Sequence, residues 1–392
     1  MFGRINRCDI YVGLSVLYIL QGALYQQGII NQVLQVVLLS WAIIVAAKEI
    51  RYLNHGHIFL RATTYLIALY LAYGVAFIVS GKVYQYGNGG VTSTYGYLQS
   101  SLNSLLPIFL FYHYTGKGYL TQNRIVFYGL LFLASFMVDY SFNLQQMIAY
   151  YSEIGSKRVE FTNNSSYLFL LLFPFLYFYR SKWIQIGFLI TIFYFLLIGM
   201  KRGAVLIGVL CVIIFLAHKL KRIKHNKNVL IYIMGVFLVF FSFYTYMKNT
   251  LSGSEYFIER VQQTLEGDSS GRDVIYSAIW NSAWNSGDLF HLVFGKGANS
   301  TIEVTDGWFA HQDWLETLCD TGLIGIFILI SFYVAIFKEC LRAKRLGRMS
   351  VYQPFFLMFV ICLFKSFFSM SIQDMQVCQT MILGYCSYHV KL

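Results

Sequence analysis

Apolar runs long enough to cross a bilayer recur along the whole chain, and they set its predicted architecture. A hydrocarbon core of about 30 Å is crossed by about 20 apolar helical residues. Each run here ends in a basic or Gly/Ser/Asn-rich break, which predicts about twelve transmembrane helices in an all-α polytopic integral membrane protein. Their predicted starts lie near residues 9, 28, 62, 99, 124, 165, 183, 203, 229, 321, 352 and 376.

One polar segment, residues 248–320, interrupts this pattern between the ninth and tenth predicted helices. It holds 11 of the 18 acidic residues of the chain. Because no Pro-rich or low-complexity linker divides the sequence, we expect one transmembrane domain, residues 1–392, that carries this segment as a large helical loop. Polar residues on this scale at a membrane face usually recognise or process something there, so we expect the chemistry in this loop.

Composition and charge fix the class and the orientation. The chain is 57% hydrophobic and only 12% charged, which excludes an ordinary soluble domain. The breaks on one side contain 20 of the 30 basic residues, so this side and both termini are predicted to be cytoplasmic and segment 248–320 to face outward. The net charge of +12 does not indicate nucleic-acid binding, because these cations lie at helix ends, where anionic lipid headgroups attract them.

A few cations fall on the outer side of this predicted topology: Lys82, Lys201, Arg202 and Lys365. Lys201 and Arg202 stand between two apolar runs, so the turn that carries them must be tight and lie at the outer mouth of the bundle. They either anchor helix ends by reaching lipid headgroups or bind a phosphate group in the outer leaflet. Lys365 lies within a span, and Asp374 is its expected structural partner.

Two amphipathic helices are predicted within segment 248–320, and each carries an arginine. In the first helix, Arg260 stands beside a stripe formed by Phe257, Ile258, Val261 and Leu265. The second starts at Arg272, which points the way of a face formed by Ile275, Tyr276, Ile279 and Ala283. Each arginine is either an ion-pair member, with Glu259 and Asp273 as local partners, or a ligand for a diphosphate, which guanidinium groups bind in a bidentate manner.

His311 opens the helix that leads into the tenth predicted span. On a helical wheel it shares a face with Trp314, Leu315 and Leu318, opposite Asp313, Glu316 and Asp320. We therefore expect an inward-facing imidazole, kept neutral by the helix N-terminus and able to accept a proton from a hydroxyl. The alternative is a capping or core histidine. The Gly295, Lys296, Gly297 string is read as a turn, since no strand precedes it.

Four ordered motifs resemble the O-antigen polymerase and O-antigen ligase superfamily of bacterial polysaccharide assembly. They are KRGA at residues 201–204, SGRDVIYSAIW at 270–280, FGKGANS at 294–300 and HQDWLETLCDTGLIG at 311–325. The resemblance covers roughly residues 200–330, while the first half of the chain resembles the family only in its many spans. Ligases of the family often have Asn after the histidine where this chain has Gln312, which favours a polymerase.

The resemblance implies a GT-C-like inverting glycosyltransferase of the bacterial inner membrane. The implied donor is a glycan on undecaprenyl diphosphate, attacked by an acceptor sugar hydroxyl at the outer leaflet. Arg202 and Arg272 would hold the diphosphate and His311 would activate the acceptor, with Arg260, Lys201, Lys82 and Asp313 as further substrate-binding candidates. A flippase and a chain-length regulator are implied partners. The alternatives are an O-antigen ligase and, from another class, a transporter of lipid-linked oligosaccharide.

We expect no metal cofactor, because a glycosyl diphosphate already carries a good leaving group and arginines can neutralise its charge. The seven cysteines show neither a disulfide framework nor metal-ligand spacing. Glycan transfer by the purified protein should therefore persist in EDTA. Activity that EDTA abolishes and Mg²⁺ restores would contradict this expectation and assign a metal role to the acidic residues near His311.

Overall fold

The computed structural model describes residues 5–25, 28–53, 56–87, 89–153, 163–222, 241, 245, 271–285 and 287–391. Over these residues the regular structure is helical, apart from an isolated bridge between Gln85 and Val91. A 3-10 helix spans Phe173–Tyr177. The α-helices are α1 (Arg7–Tyr25), α2 (Ile29–Arg51), α3 (Ile58–Ser80), α4 (Gly96–Gly116), α5 (Gln122–Glu153), α6 (Ser166–Leu170), α7 (Lys182–Ile198), α8 (Arg202–Arg222), α9 (Arg272–Trp284), α10 (Leu289–Phe294), α11 (Ser300–Val304), α12 (Asp313–Arg345), α13 (Met349–Phe368) and α14 (Val377–Lys391).

Among the described residues, six helices are long and apolar enough to cross a membrane: α2, α3, α5, α8, α12 and α13. The predicted class, an all-α membrane protein, is confirmed at this level. Each predicted span that falls on described residues overlaps a helix, whereas the span near residue 229 lies outside them. The total of twelve crossings, the GT-C-like arrangement and the single domain stay predictions.

The sixth predicted span, near residues 165 to 180, is not a continuous helix. It consists of the five-residue α6 followed by the 3-10 helix Phe173–Tyr177. Pro174 lies in the first turn of that 3-10 helix, where its missing N–H is tolerated, but its ring would clash with the carbonyl group of Leu170 if α6 continued. The sixth predicted span is therefore present as two short helical pieces, because a proline interrupts it.

The chain divides into two compact units. The first comprises residues 1–35 and 121–268, and the second comprises residues 36–120 and 269–392. In the first unit, α1 packs on α5, and Arg124 on α5 forms an ion pair with Asp9 on α1 at 3.1 Å. Tyr128 also donates a hydrogen bond to Asp9. The carboxylate of Asp9 is therefore shared between two partners on one neighbouring helix.

A cluster of seven basic residues lies at one end of the second unit. At this end the carboxylate of Glu339 accepts hydrogen bonds from the backbone N–H of Phe59 at 3.0 Å and from the hydroxyl of Ser387 at 2.8 Å. These bonds bring together the start of α3, the last part of α12 and the end of α14. The basic residues on these and adjoining segments are Arg61, Lys338, Arg342, Lys344, Arg345, Arg348 and Lys391. Segment 271–312 lies at the opposite end, which we call the loop end.

Helix α12 breaks at Gly322, and this break connects it to segment 295–300. Gly322 has a φ of 65° and a ψ of −158° inside the helix, so the carbonyl groups of the preceding turn lose their helical partners. The carbonyl oxygen of Cys319 instead accepts the backbone N–H of Lys296 at 2.8 Å, and that of Asp320 accepts the N–H of Gly297 at 3.0 Å. The predicted turn at 295–297 is present, and its N–H groups satisfy two carbonyl groups at the break in the helix.

Two glycines permit this contact. A Cβ on Gly322 would lie 2.5 Å from the backbone nitrogen of Gly295 and the carbonyl oxygen of Val293. A Cβ on Gly295, whose φ is 74°, would overlap the backbone of Asp320 and Thr321. The two chain segments therefore approach more closely than any side chain allows, and both positions also require the left-handed backbone region that glycine adopts without strain.

We predict that Gly295→Ala and Gly322→Ala each lower the free energy of unfolding by about 3 kcal/mol or more, because backbone strain and overlap add. Gly347→Ala is the matched control, since Gly347 has a φ of 70° and nothing within 4 Å of its Cβ position. Thermal unfolding of the purified variants in detergent measures the difference. Equal midpoints for all three variants would show that the close approach contributes nothing to stability.

Candidate functional site

Helix α9 places Arg272 at the loop end of the second unit. The helix starts at Arg272, directly after Gly271 with its φ of 79°, and Ile279 is fully buried. Ile275, Tyr276 and Ile279 pack in one cluster with Ala310 and Cys319. The predicted start of this helix and three of the four residues of its predicted packing face are therefore confirmed. The Nη1 of Arg272 donates to the carbonyl oxygen of Phe368 at 3.3 Å, which uses one of the five N–H donors of the guanidinium group.

The three carboxylates at the start of α12 form its buried face. Asp313, Glu316 and Asp320 are each at most 3% exposed. Asp313 accepts the backbone N–H groups of Ser371 and Ile372 at 2.9 and 3.1 Å, and Glu316 accepts that of Ala310 at 2.6 Å. Asp320 accepts the N–H of Asn299 and the hydroxyl of Ser300, each at 3.1 Å. These side chains therefore hold loops in place, which provides a structural role for Asp313.

His311 does not face inward as the helical wheel predicts. Helix α12 begins at Asp313 with Gln312 as its N-cap, so His311 lies before the helix, as a residue with a φ of 55°. Its side chain is exposed, and its ring centroid lies 6.3 Å from that of Phe309. The expectation of a sheltered imidazole is wrong, because the wheel applies helical geometry to a residue outside the helix and leaves out the loop partners that bury the acidic face.

The loop between α13 and α14, residues 369–376, adjoins both Arg272 and Asp313. Next to it, Lys365 forms an ion pair with Asp374 at 3.4 Å, which confirms the partner predicted for this buried cation. The indole nitrogen of Trp314 donates to the hydroxyl of Ser366 at 2.9 Å. Sequence reasoning did not place this loop at the site. The signal was the polar string SIQD between two apolar runs, which supplies backbone donors and no distinctive side chain.

The loop between α3 and α4, which carries Lys82, contacts the segment that precedes His311. The N–H of Gly87 donates to the carbonyl oxygen of Gly307 at 3.1 Å. Lys82 itself is exposed. Burial raises the pKa of Tyr84 in this loop to about 12, and the charge of Glu303 contributes to the same shift. Tyr84 therefore remains a neutral hydroxyl at physiological pH and can donate a hydrogen bond at the loop end.

Arg202 and Lys201 belong to the first unit. The predicted tight turn is present, since only Gly199, Met200 and Lys201 separate α7 from α8, and Met200 has a φ of 49°. The N–H of Asn163 donates to the carbonyl oxygen of Gly199 at 3.0 Å and supports the turn. The Nη2 of Arg202 is buried, and no described residue accepts a hydrogen bond from it. Since a buried cationic donor is costly without an acceptor, this atom suits an anionic ligand.

The structure brings some of the predicted site residues together. Arg272, His311, Asp313 and Lys82 lie on segments that meet at the loop end of the second unit. Arg260 and the first predicted helix of segment 248–320 lie outside the described residues. Because Arg202 and Lys201 belong to the first unit, the convergence of Arg202 with Arg272 and His311 stays a prediction.

In the described part of the chain, no group of three or more His, Cys, Asp or Glu residues is placed to hold a metal ion. Metal independence stays a prediction, to be decided by the EDTA experiment. No protein-family model and no curated protein matches this chain. The resemblance to the O-antigen polymerase family therefore rests on the ordered motifs alone.

We predict that Asp313→Ala releases residues 371–372 and lowers the free energy of unfolding by about 2 to 4 kcal/mol, because two buried N–H groups lose their acceptor. Hydrogen exchange at Ser371 and Ile372 should rise at least tenfold. Asp306→Asn is the control, since Asp306 is exposed and asparagine tolerates its φ of 53°. Unchanged exchange at both amides in Asp313→Ala would contradict the anchoring role of this carboxylate.

Proposed function

We propose that this protein is a polysaccharide polymerase, an inverting glycosyltransferase that joins oligosaccharide repeat units carried on undecaprenyl diphosphate. The observation that carries the proposal is the joint placement of Arg272 and His311, two residues of the family-like motifs, at the end of the second unit opposite the basic cluster near Glu339. By the positive-inside tendency that end faces away from the cytoplasm, where the lipid-linked glycan would be presented.

The proposed role of Arg272 is to hold the diphosphate of the donor. Its contact with the carbonyl oxygen of Phe368 fixes the direction of the guanidinium group. A guanidinium group offers paired, permanently charged donors that match two phosphate oxygens, which an ammonium group cannot do. Arg202 is the second proposed diphosphate ligand, and its buried Nη2 without a described acceptor supports this role.

His311 is the proposed general base. Its exposure at the loop end leaves the imidazole accessible to an acceptor sugar, which a capping or core histidine would not be. A neutral imidazole can accept the proton of a hydroxyl that it contacts within hydrogen-bond distance. The backbone of His311, like that of Ala310, is hydrogen-bonded to the buried carboxylate of Glu316, which holds this residue just before α12.

In the proposed reaction, the acceptor hydroxyl attacks the anomeric carbon of the donor sugar from the face opposite the diphosphate. The new glycosidic bond forms as the bond from that carbon to the diphosphate oxygen breaks. The electron pair leaves with undecaprenyl diphosphate, and the hydroxyl proton passes to His311. The charge that develops on the leaving oxygen is neutralised by the arginines, which is the largest contribution that such a site can make.

We predict that Arg202→Ala, Arg272→Ala and His311→Ala each reduce chain growth at least about a hundredfold while the protein still accumulates in the membrane. Arg202→Lys and Arg272→Lys should restore only part of the activity, because a point charge replaces a planar fork. Arg345→Ala, at the basic end of the second unit, is the matched control and should retain activity. Glycan length in a deletion strain that expresses each variant is the measurement.

The same strain separates the proposed polymerase from its alternatives. Single repeat units on the lipid anchor in the deletion strain support a polymerase, whereas long polymer that stays unattached to its final acceptor indicates a ligase. Purified protein in liposomes tests the other class: translocation of the lipid-linked glycan without new glycosidic bonds would replace the proposal with a transporter. Polymer of normal length from His311→Ala would remove the proposed base.

A further inference from the structure

An apolar groove runs along the second unit between α3 and α12. It has a volume of about 620 Å³, and both of its walls are helices that are long and apolar enough to cross a membrane. Leu69 and Phe327 line it toward one end, and Arg61 and Lys338 line it toward the other. Each wall covers a stretch of 12 residues, or about 16 Å of helix, which matches the depth of one leaflet of a bilayer.

The charge of this groove is one-sided. Its two charged lining residues, Arg61 and Lys338, belong to the end of the unit that collects basic residues. The neighbouring acidic residue, Glu339, is 4% exposed, and both of its carboxylate oxygens accept hydrogen bonds, from Phe59 and from Ser387. Arg61 and Lys338 therefore place two positive charges at one end of the groove, next to its apolar part.

We propose that this groove binds an anionic phospholipid of the leaflet at the basic end, with its phosphate group at Arg61 and Lys338 and one acyl chain along α3 and α12. Charge complementarity selects this occupant. A Lys or Arg residue attracts an anionic headgroup that lies near it. The apolar walls of the groove contact the acyl chain in place of neighbouring lipids. This binding goes beyond the proposed glycan transfer and does not depend on it.

The groove lies beside the hydrogen bond between Phe59 and Glu339, which links α3 to α12. A lipid seated there would contact both helices at once and bind the folded unit only. Bound anionic lipid should therefore raise the thermal stability of the full chain by mass action. Phosphatidylcholine carries the same acyl chains without the net charge. A comparison of the two lipids therefore separates the contribution of the headgroup charge from that of the acyl chains.

The test is a titration of delipidated full-length protein with phosphatidylglycerol or phosphatidylcholine, read by native mass spectrometry. We expect the double variant Arg61→Gln/Lys338→Gln to bind its first phosphatidylglycerol roughly thirtyfold more weakly, since each cation contributes a factor of about five. Its affinity for phosphatidylcholine should change less than about twofold. The matched control, Lys344→Gln/Arg345→Gln, removes the same charge from exposed positions at the same end and outside the groove.

A second variant tests the apolar part without changing charge. Ala68 lines the groove, so Ala68→Trp should fill it and weaken the first phosphatidylglycerol at least about tenfold. Ala72, an exposed residue on the same helix outside the groove, provides the control Ala72→Trp. Thermal unfolding without added lipid verifies that each variant is folded.

Three results would overturn the proposal. The first is equal loss of phosphatidylglycerol binding in the two double variants, which would indicate general surface charge. The second is wild-type binding by Ala68→Trp. The third is displacement of the bound lipid by millimolar inorganic phosphate, which would identify a phosphate site and no lipid site.

Discussion

The loop end of the second unit depends on the need to satisfy backbone groups where α12 breaks. Inside an apolar environment an unpaired carbonyl group is costly, so a helix can be interrupted only where another segment supplies donors. Here the N–H groups of Lys296 and Gly297 reach the carbonyl groups of Cys319 and Asp320. The carboxylates on the same stretch of α12 in turn accept hydrogen bonds from backbone N–H groups of three different loops. The position of His311 follows from this mutual arrangement.

Hydropathy and helical periodicity predicted most of the helices correctly, because these properties are local. The start of α9 at Arg272, its packing face, the tight turn before Arg202 and the pair of Lys365 with Asp374 could all be read from spacing and charge. The interruption at Pro174 could have been predicted only by giving this one proline more weight than the apolar run around it. Where neighbours in the sequence decide the structure, the sequence is sufficient.

The candidate site was harder to predict because distant segments determine its burial. An acidic face on a helical wheel suggests solvent, yet Asp313, Glu316 and Asp320 are buried against backbone donors of loops that no periodicity reveals. The exposure of His311 has the same origin, since its position depends on where the helix begins. The residues that would bind substrate were named from motifs, but the residues that hold them in place became visible only in three dimensions.

The joint between Gly295 and Gly322 also bears on how such a chain can vary over evolution. Its hydrogen bonds come from the main chain, so the side chain of Lys296 is free to change without loss of the joint. The close approach requires only that these two positions carry no side chain. Distant homologues should therefore share the spacing between these two glycines more reliably than any motif of charged residues. A search built on that spacing would detect homologues that overall sequence similarity misses.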